Sequence, residues 1–187
     1  MRKVCTLLVL AFLLVSYSSF SQEMFIKIAT IEGESTLRGH EKEIVVYSYS
    51  HGMASCVPTN NSGLNTCKVT VSPLSLMVKF DKSNIALKNA VLMGTHLATA
   101  DMTFLKTGGD GKPFAYYRIH MENVTVVSTQ ESGSAGDNSG PAFSVELSFS
   151  KIAWEYSSQG SDGRAGEKST VGWDLTANKA WTYTFPN

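Results

Sequence analysis

The sequence predicts a mainly β fold, a sandwich or barrel, with one short α-helix over about residues 83–94. Apolar residues recur with period two in several separate runs, the spacing that places alternate side chains on one face of a sheet. Clusters of Gly, Ser, Asn and Asp separate those runs. One stretch, Ser83 to Gly94, takes helical spacing instead. Strands of this kind assemble into a sandwich or barrel because each has an apolar face to bury.

In chain order, Leu74, Leu76, Val78 and Phe80 alternate with Ser75, Met77 and Lys79, and Ala98, Ala100, Met102 and Phe104 repeat the pattern. Between them, Ser83 is suited to cap a helix whose Ala86, Leu87, Ala90, Val91 and Met93 fall at helical spacings. Gly94 is suited to end it in the left-handed conformation. Gly108-Gly109-Asp110-Gly111 reads as a hairpin loop, and Ser132 to Pro141 as a longer one. Phe143, Val145, Leu147 and Phe149 give the cleanest alternation, after which the apolar parity switches to Ile152 and Trp154. A β-bulge near Ser150 and Lys151 accounts for that switch. With no repeat, linker or second domain, Gln22 to Asn187 is expected to form one domain.

The N-terminus has a different character. Arg2 and Lys3 precede an apolar run from Leu7 to Val15, and Tyr17-Ser18-Ser19-Phe20-Ser21 then adds small residues in a polar setting. This order is that of a cleavable secretory signal peptide, Met1 to about Ser21. The uncharged stretch is nearly long enough to span a bilayer, but its last third is serine-rich and no basic cluster follows it. No stable membrane insertion is therefore expected after cleavage. Cys5 precedes the apolar core rather than marking the cleavage point, so no lipid anchor is expected either. The expected destination is the periplasm or the exterior.

Excision of the leader leaves Cys56 and Cys67, which flank a polar, turn-rich segment. In an oxidising compartment the pair is expected to form a disulfide, the alternative being two free thiols. Closing so short a loop contributes on the order of 2–3 kcal/mol. The whole chain carries 16 basic and 16 acidic residues, and losing Arg2 and Lys3 leaves a small acidic excess. That balance offers no attraction to nucleic acid or to an anionic membrane.

No pattern of residues supports catalysis. His40-Glu41-Lys42-Glu43-Ile44 begins like a zinc-protease helix but has Ile44 where the second histidine is required. His51, His96 and His120 are scattered singly without a partner at ligand spacing, and each is expected on the surface or in a loop. The serines lie outside any Gly-x-Ser-x-Gly turn. Gly109-Asp110-Gly111-Lys112-Pro113 lacks the first glycine of a phosphate loop and places Pro113 where a Mg²⁺-holding hydroxyl belongs. No catalytic residue, cofactor or metal is assigned. The late aromatics Trp154, Tyr156, Trp173, Trp181, Tyr183 and Phe185 suit core and subunit packing, a carbohydrate platform being the alternative use.

Taken together, Phe25-Ile26-Lys27-Ile28, Ile31-Glu32-Gly33-Glu34-Ser35-Thr36, Gly39-His40 and Val45 to Gly52 resemble the haemolysin-coregulated protein family, Hcp, the tube subunit of type VI secretion systems. The likeness continues through Phe80-Asp81-Lys82-Ser83, Gly94-Thr95-His96, Ile152 to Tyr156 and Gly172 to Lys179, nearly the whole mature chain. It implies a two-sheet β-barrel with one flanking helix. It implies also hexameric rings that stack into a tube, capped by a spike protein and carrying small effectors, with no bond made or broken by the subunit. In the family the loop after the second strand reaches towards the next ring. Here that loop lies between His51 and Pro73, with Met53, Val57, Asn60 and Leu64 as its expected stacking residues and Cys56 and Cys67 within it. Family subunits are normally made without a leader and assemble in the cytoplasm, so the leader is this chain's departure. An exported β-rich module binding a ligand such as a glycan on the same fold is the alternative function.

Overall fold

The computed structural model describes residues 22–55, 68–109, 111–136, 140–160 and 165–186. The leader therefore lies outside the described residues. The strands are β1 (Glu23–Ile28), β2 (Ile44–Ser50), β3 (Met53–Ala54), β4 (Thr70–Val71), β5 (Leu74–Val78), β6 (His96–Thr107), β7 (Pro113–Ser132), β8 (Ala142–Ser148), β9 (Lys151–Gln159), β10 (Ala165–Asp174) and β11 (Lys179–Ala180). One helix, α1 (Lys82–Met93), lies between β5 and β6.

Six strands close into a barrel in the order β7-β6-β1-β2-β5-β8, with β8 returning to pair with β7. Closure removes the free edges that an open sheet of these strands would leave. The 20-residue β7 makes the closure possible. Its Tyr117–Glu122 half pairs with β9, and its Thr125–Ser132 half pairs with β8. From β9 the sheet continues outside the barrel through β10 to β11, while β3 and β4 form a separate two-stranded ribbon. The expected β-barrel with a flanking helix is the fold that forms.

Period-two alternation fills the barrel interior. Leu74, Leu76 and Val78 of β5, Met102 and Phe104 of β6, and Phe143, Val145 and Leu147 of β8 are all buried in one core cluster. On β6 the first inward residue is Leu97, whereas Ala98 is exposed. The parity switch after Leu147 arises from a bend rather than the expected bulge at Ser150 and Lys151. The ladder keeps one register across the break, Thr125 opposite Ser148 and Glu122 opposite Lys151. Asn123, at φ 53°, turns β7 at the same level. Its side-chain amide donates to Ser150 Oγ at 2.8 Å, so both strands bend together.

The helix forms nearly where expected, but Asp81 caps it in place of Ser83. The Asp81 carboxylate accepts from Ser83 N at 2.8 Å, and Asn84 Oδ1 accepts from Asp81 N at 2.5 Å, a reciprocal capping box. Ser83 is already inside the first turn and fully buried. Gly94 ends the helix in the left-handed region, φ 59°. The helix packs on β7 through Leu87 and Ala90. Met93, placed on the apolar face by spacing, is instead exposed, because as the last residue of α1 it points away from the face that buries Leu87 and Ala90.

Asp81 also ties the helix to the long β1–β2 connection, its Oδ2 accepting from Glu34 N at 3.0 Å. Nearby, a Cβ on Gly33 would lie 2.4 Å from the Glu43 carbonyl oxygen. Only glycine lets the chain approach so closely, with Gly33 N donating to Lys42 O at 2.8 Å.

Candidate assembly surfaces

The segment after β2 leaves the barrel through a clasp. Gly52 N donates to Ser72 Oγ at 2.8 Å, Ser72 N donates to Gly52 O at 2.9 Å, and the Ser72 hydroxyl donates to the same carbonyl at 2.9 Å. Beyond the clasp, β3 and β4 pair Met53 with Val71 and Ala54 with Thr70. Met53, an expected stacking residue, is 59% exposed on this ribbon. Val57, Asn60 and Leu64, together with Cys56 and Cys67, lie outside the described residues. His51 anchors the clasp on the barrel side, its ring 5.9 Å from those of both Phe149 and Trp154. Burial lowers its pKa, and its Nε2 is buried without a hydrogen-bond partner.

A second feature covers the barrel's flank. After β11 the chain runs extended from Trp181 to Pro186, with Phe185 buried, Trp181 and Tyr183 partly buried and Thr182 and Thr184 exposed. This C-terminal strap holds period two without a strand ladder. Tyr183 stacks on His120, and Arg118 Nη1 donates to the Pro186 carbonyl. His120, expected on the surface, is 3% exposed, because the strap lies over the outward face of β7. His120 Nδ1 sits 2.5 Å from Asp101 Oδ1. Burial first, then the Asp101 and Glu122 carboxylates, raise the Tyr183 pKa. Glu155, buried on the adjacent strand, pairs with Arg118 at 3.3 Å and Lys168 at 3.6 Å. Nothing in the sequence spacing marks Asp101, His120 and Tyr183 as neighbours; only the polar parity of Arg118, His120 and Glu122 hints at a shared face.

The other histidines have local roles. His40 Nδ1 bonds Glu43 Oε2 at 2.8 Å while its ring stacks on Phe25, and His96 bonds Thr125 Oγ1 at 3.2 Å. Among the described residues no cluster of His, Cys, Asp and Glu has the arrangement to hold a metal. No helix among them is long and apolar enough to cross a membrane.

Among the described residues, two clefts illustrate how polar groups are already engaged. One of about 390 Å³ lies between the β1–β2 connection and β2, lined by Phe25, Glu34, Tyr47 and Lys79. Another of about 210 Å³ lies beside the strap, where Asp101 and Arg118 are already engaged by His120 and Glu155. All three tryptophans are partly buried, Trp154 against the core. What the surface does expose is large apolar side chains: Leu92 at 84%, Met93 at 73%, Ile85 at 65%, Val171 at 63%, and Tyr47 and Met53 at 59%.

The family described as "Type VI secretion system effector, Hcp" matches residues 25–156. The chain belongs to the Hcp family. Its relative Protein hcp1 of Pseudomonas aeruginosa is 33% identical over 158 residues, covering 83% of this chain and 96% of that protein. Two solved structures agree. A type six secretion system protein superposes with TM-score 0.78 at 29% identity over 86% of this chain and 100% of that one. Hcp1 from Salmonella typhimurium superposes with TM-score 0.72 at 28% identity over 86% of this chain and 99% of its own. As an Hcp-family chain it is a subunit of a type VI secretion tube, and the Hcp likeness favours that role over an exported ligand-binding module.

Proposed function

We propose that this Hcp-family subunit, as Gln22 to Asn187, assembles into hexameric rings that stack into a hollow tube, carrying small effector proteins beneath a spike protein. It acts by assembly and breaks no bond. The supporting observation is the whole-length likeness to a type six secretion system protein and to Hcp1 from Salmonella typhimurium, 100% and 99% of whose chains are covered. The exposed apolar residues fit the same reading. Ring closure needs side-to-side contacts between different patches, and stacking needs a further contact that does not close, so a ring-forming subunit exposes apolar surface on more than one element. Here such residues lie on α1, β2, β3 and β10. The outer edge of β10 from Ser169 to Val171 has no strand partner among the described residues, which also suits a contact with another chain.

The Met53 ribbon and the segment with Val57, Asn60 and Leu64 form the stacking loop in this proposal. A Cys56–Cys67 disulfide reduces the entropy lost when that loop docks. Met1 to about Ser21 exports the chain to the periplasm or the exterior, where such a bond persists.

Purified protein spanning residues 22–187 is expected to give six-membered rings and stacks by native mass spectrometry and negative-stain microscopy. A monodisperse monomer across the micromolar range sinks the tube proposal. Cys56→Ser with Cys67→Ser is expected to shorten the stacks under oxidising conditions. Fractionation of the native host with N-terminal sequencing tests export, and an intact Met1 in the cytoplasm removes it.

A further inference from the structure

We infer that His51 is an acid-sensitive hinge pin, seating the β3–β4 ribbon against the barrel while its imidazole is neutral and releasing it on protonation. The inference rests on the stacking role proposed above for the consequence of release, but the hinge itself stands on geometry.

His51 is the residue at which the chain leaves β2 for the ribbon, directly before the Gly52–Ser72 clasp. Its ring is held on the barrel side by Phe149 and Trp154, both of which pack against the core. The ribbon beyond has little holding of its own. It consists of two paired positions, Met53 with Val71 and Ala54 with Thr70. Met53 and Ala54 are both exposed. A two-stranded ribbon of this length is not stable alone, so its orientation depends on its root.

The chemistry at that root is one-sided. His51 Nε2 is buried with no hydrogen-bond partner, so a proton placed there has nowhere to donate. Among the described residues no ion pair reaches His51. β2 carries no charged side chain, and its ionisable groups are Tyr47 and Tyr49. From β9, Lys151 is engaged by Glu122 at 2.9 Å, and Glu155 is engaged by Arg118 at 3.3 Å on the face opposite Trp154. Along the chain, the charged residue nearest the ribbon is Lys68, a cation, which cannot stabilise an imidazolium. Phe149 directly follows β8, whose one charged residue, Glu146, accepts from Ser128 Oγ at 2.9 Å, and β5 begins with apolar Leu74. Consistent with this setting, burial is the only resolved cause of the lowered His51 pKa.

The sign follows directly. A released imidazole binds its proton near the ordinary value of about 6.5, whereas the seated ring resists it to lower pH. As pH falls below that value the released form gains a proton that the seated form lacks, so acid favours release. Neutral and alkaline conditions leave the ring seated and the ribbon presented for stacking.

The test is hydrogen exchange of the peptides containing Met53–Ala54 and Thr70–Val71 in the full mature domain, corrected for the intrinsic pH dependence of exchange. Between about pH 7.5 and 5.5 the wild-type ribbon is expected to lose protection roughly fivefold or more. His51→Phe and His51→Gln, neither of which titrates, are expected to show protection that does not change with pH. A wild-type ribbon with no pH response, or the same response in the variants, overturns the hinge. Light scattering on the same samples reads stacking separately. Absence of stacks at pH 7.5 counts against the tube proposal, while the exchange profiles still decide the hinge.

Discussion

The imidazole of His120 lies face to face with the phenol of Tyr183, ring centroids 3.7 Å apart and planes 5° from parallel. The stack joins residues far apart in sequence, and it closes the strap over the Asp101–His120 pair. Trp181 and Phe185 flank it, at 5.6 Å and 4.9 Å from Tyr183.

Tyr183→Ala is therefore expected to lower stability by about 1–3 kcal/mol, from the lost ring pair and lost apolar burial. Phe185→Ala, emptying a buried site, is expected to cost about 3 kcal/mol or more. Urea denaturation followed by circular dichroism measures both, and equal stability of Tyr183→Ala and wild type would show that the strap is not docked in solution.

Gly172 lets the strap leave the sheet. A Cβ there would lie 2.5 Å from the Trp181 carbonyl oxygen and 3.2 Å from Ala153 Cβ. Gly172→Ala is expected to push the strap outwards at a cost of about 1–3 kcal/mol, with red-shifted tryptophan emission as Trp181 gains exposure.

Asp81 serves two elements at once, capping α1 and accepting from Glu34 N. Asp81→Ala is expected to cost about 1–2 kcal/mol, with a small loss of helical signal. Asp81→Asn keeps a side-chain acceptor and is expected to retain more than half of that stability, as read from thermal unfolding midpoints.

Tyr117 sits opposite Phe104 on one side and Tyr156 on the other, near the Tyr49 end of the barrel interior. Burial, then the neighbouring Tyr49 and Tyr116, push its pKa up to about 12. A raised folded-state value favours the protonated phenol in the fold. Its contribution to stability is thus complete below the unfolded value near 10 and is lost as pH rises towards 12. Tyr117→Phe is expected to flatten that alkaline loss between pH 10 and 12 in pH-dependent urea melts, and to remove one late-titrating phenol from the ultraviolet difference spectrum.

Much of the barrel is legible in the chain itself. Alternation at Leu74–Val78, Met102–Phe104 and Phe143–Leu147 names the inward faces, because side-chain period is a local property of an extended strand. The helix is legible for the same reason, although its cap is not: Ser83 and Asp81 are both competent caps, and the choice falls to Asp81, whose other oxygen also accepts from Glu34 N, a contact that sequence spacing does not register. The bend at Asn123 and Ser150 looks like a bulge when one strand is considered alone. It becomes a shared bend once the partner strand is in place.

By itself, then, the sequence determined the strand faces, the position of the helix and the family, all carried by residue identity and short-range spacing. Only the tertiary structure decided that β7 pairs along one half with β9 and along the other with β8, that the strap buries His120, and that His51 lodges between Phe149 and Trp154. These are contacts between segments tens of residues apart, and their partners are chosen by barrel closure and burial rather than by any local preference of the chain.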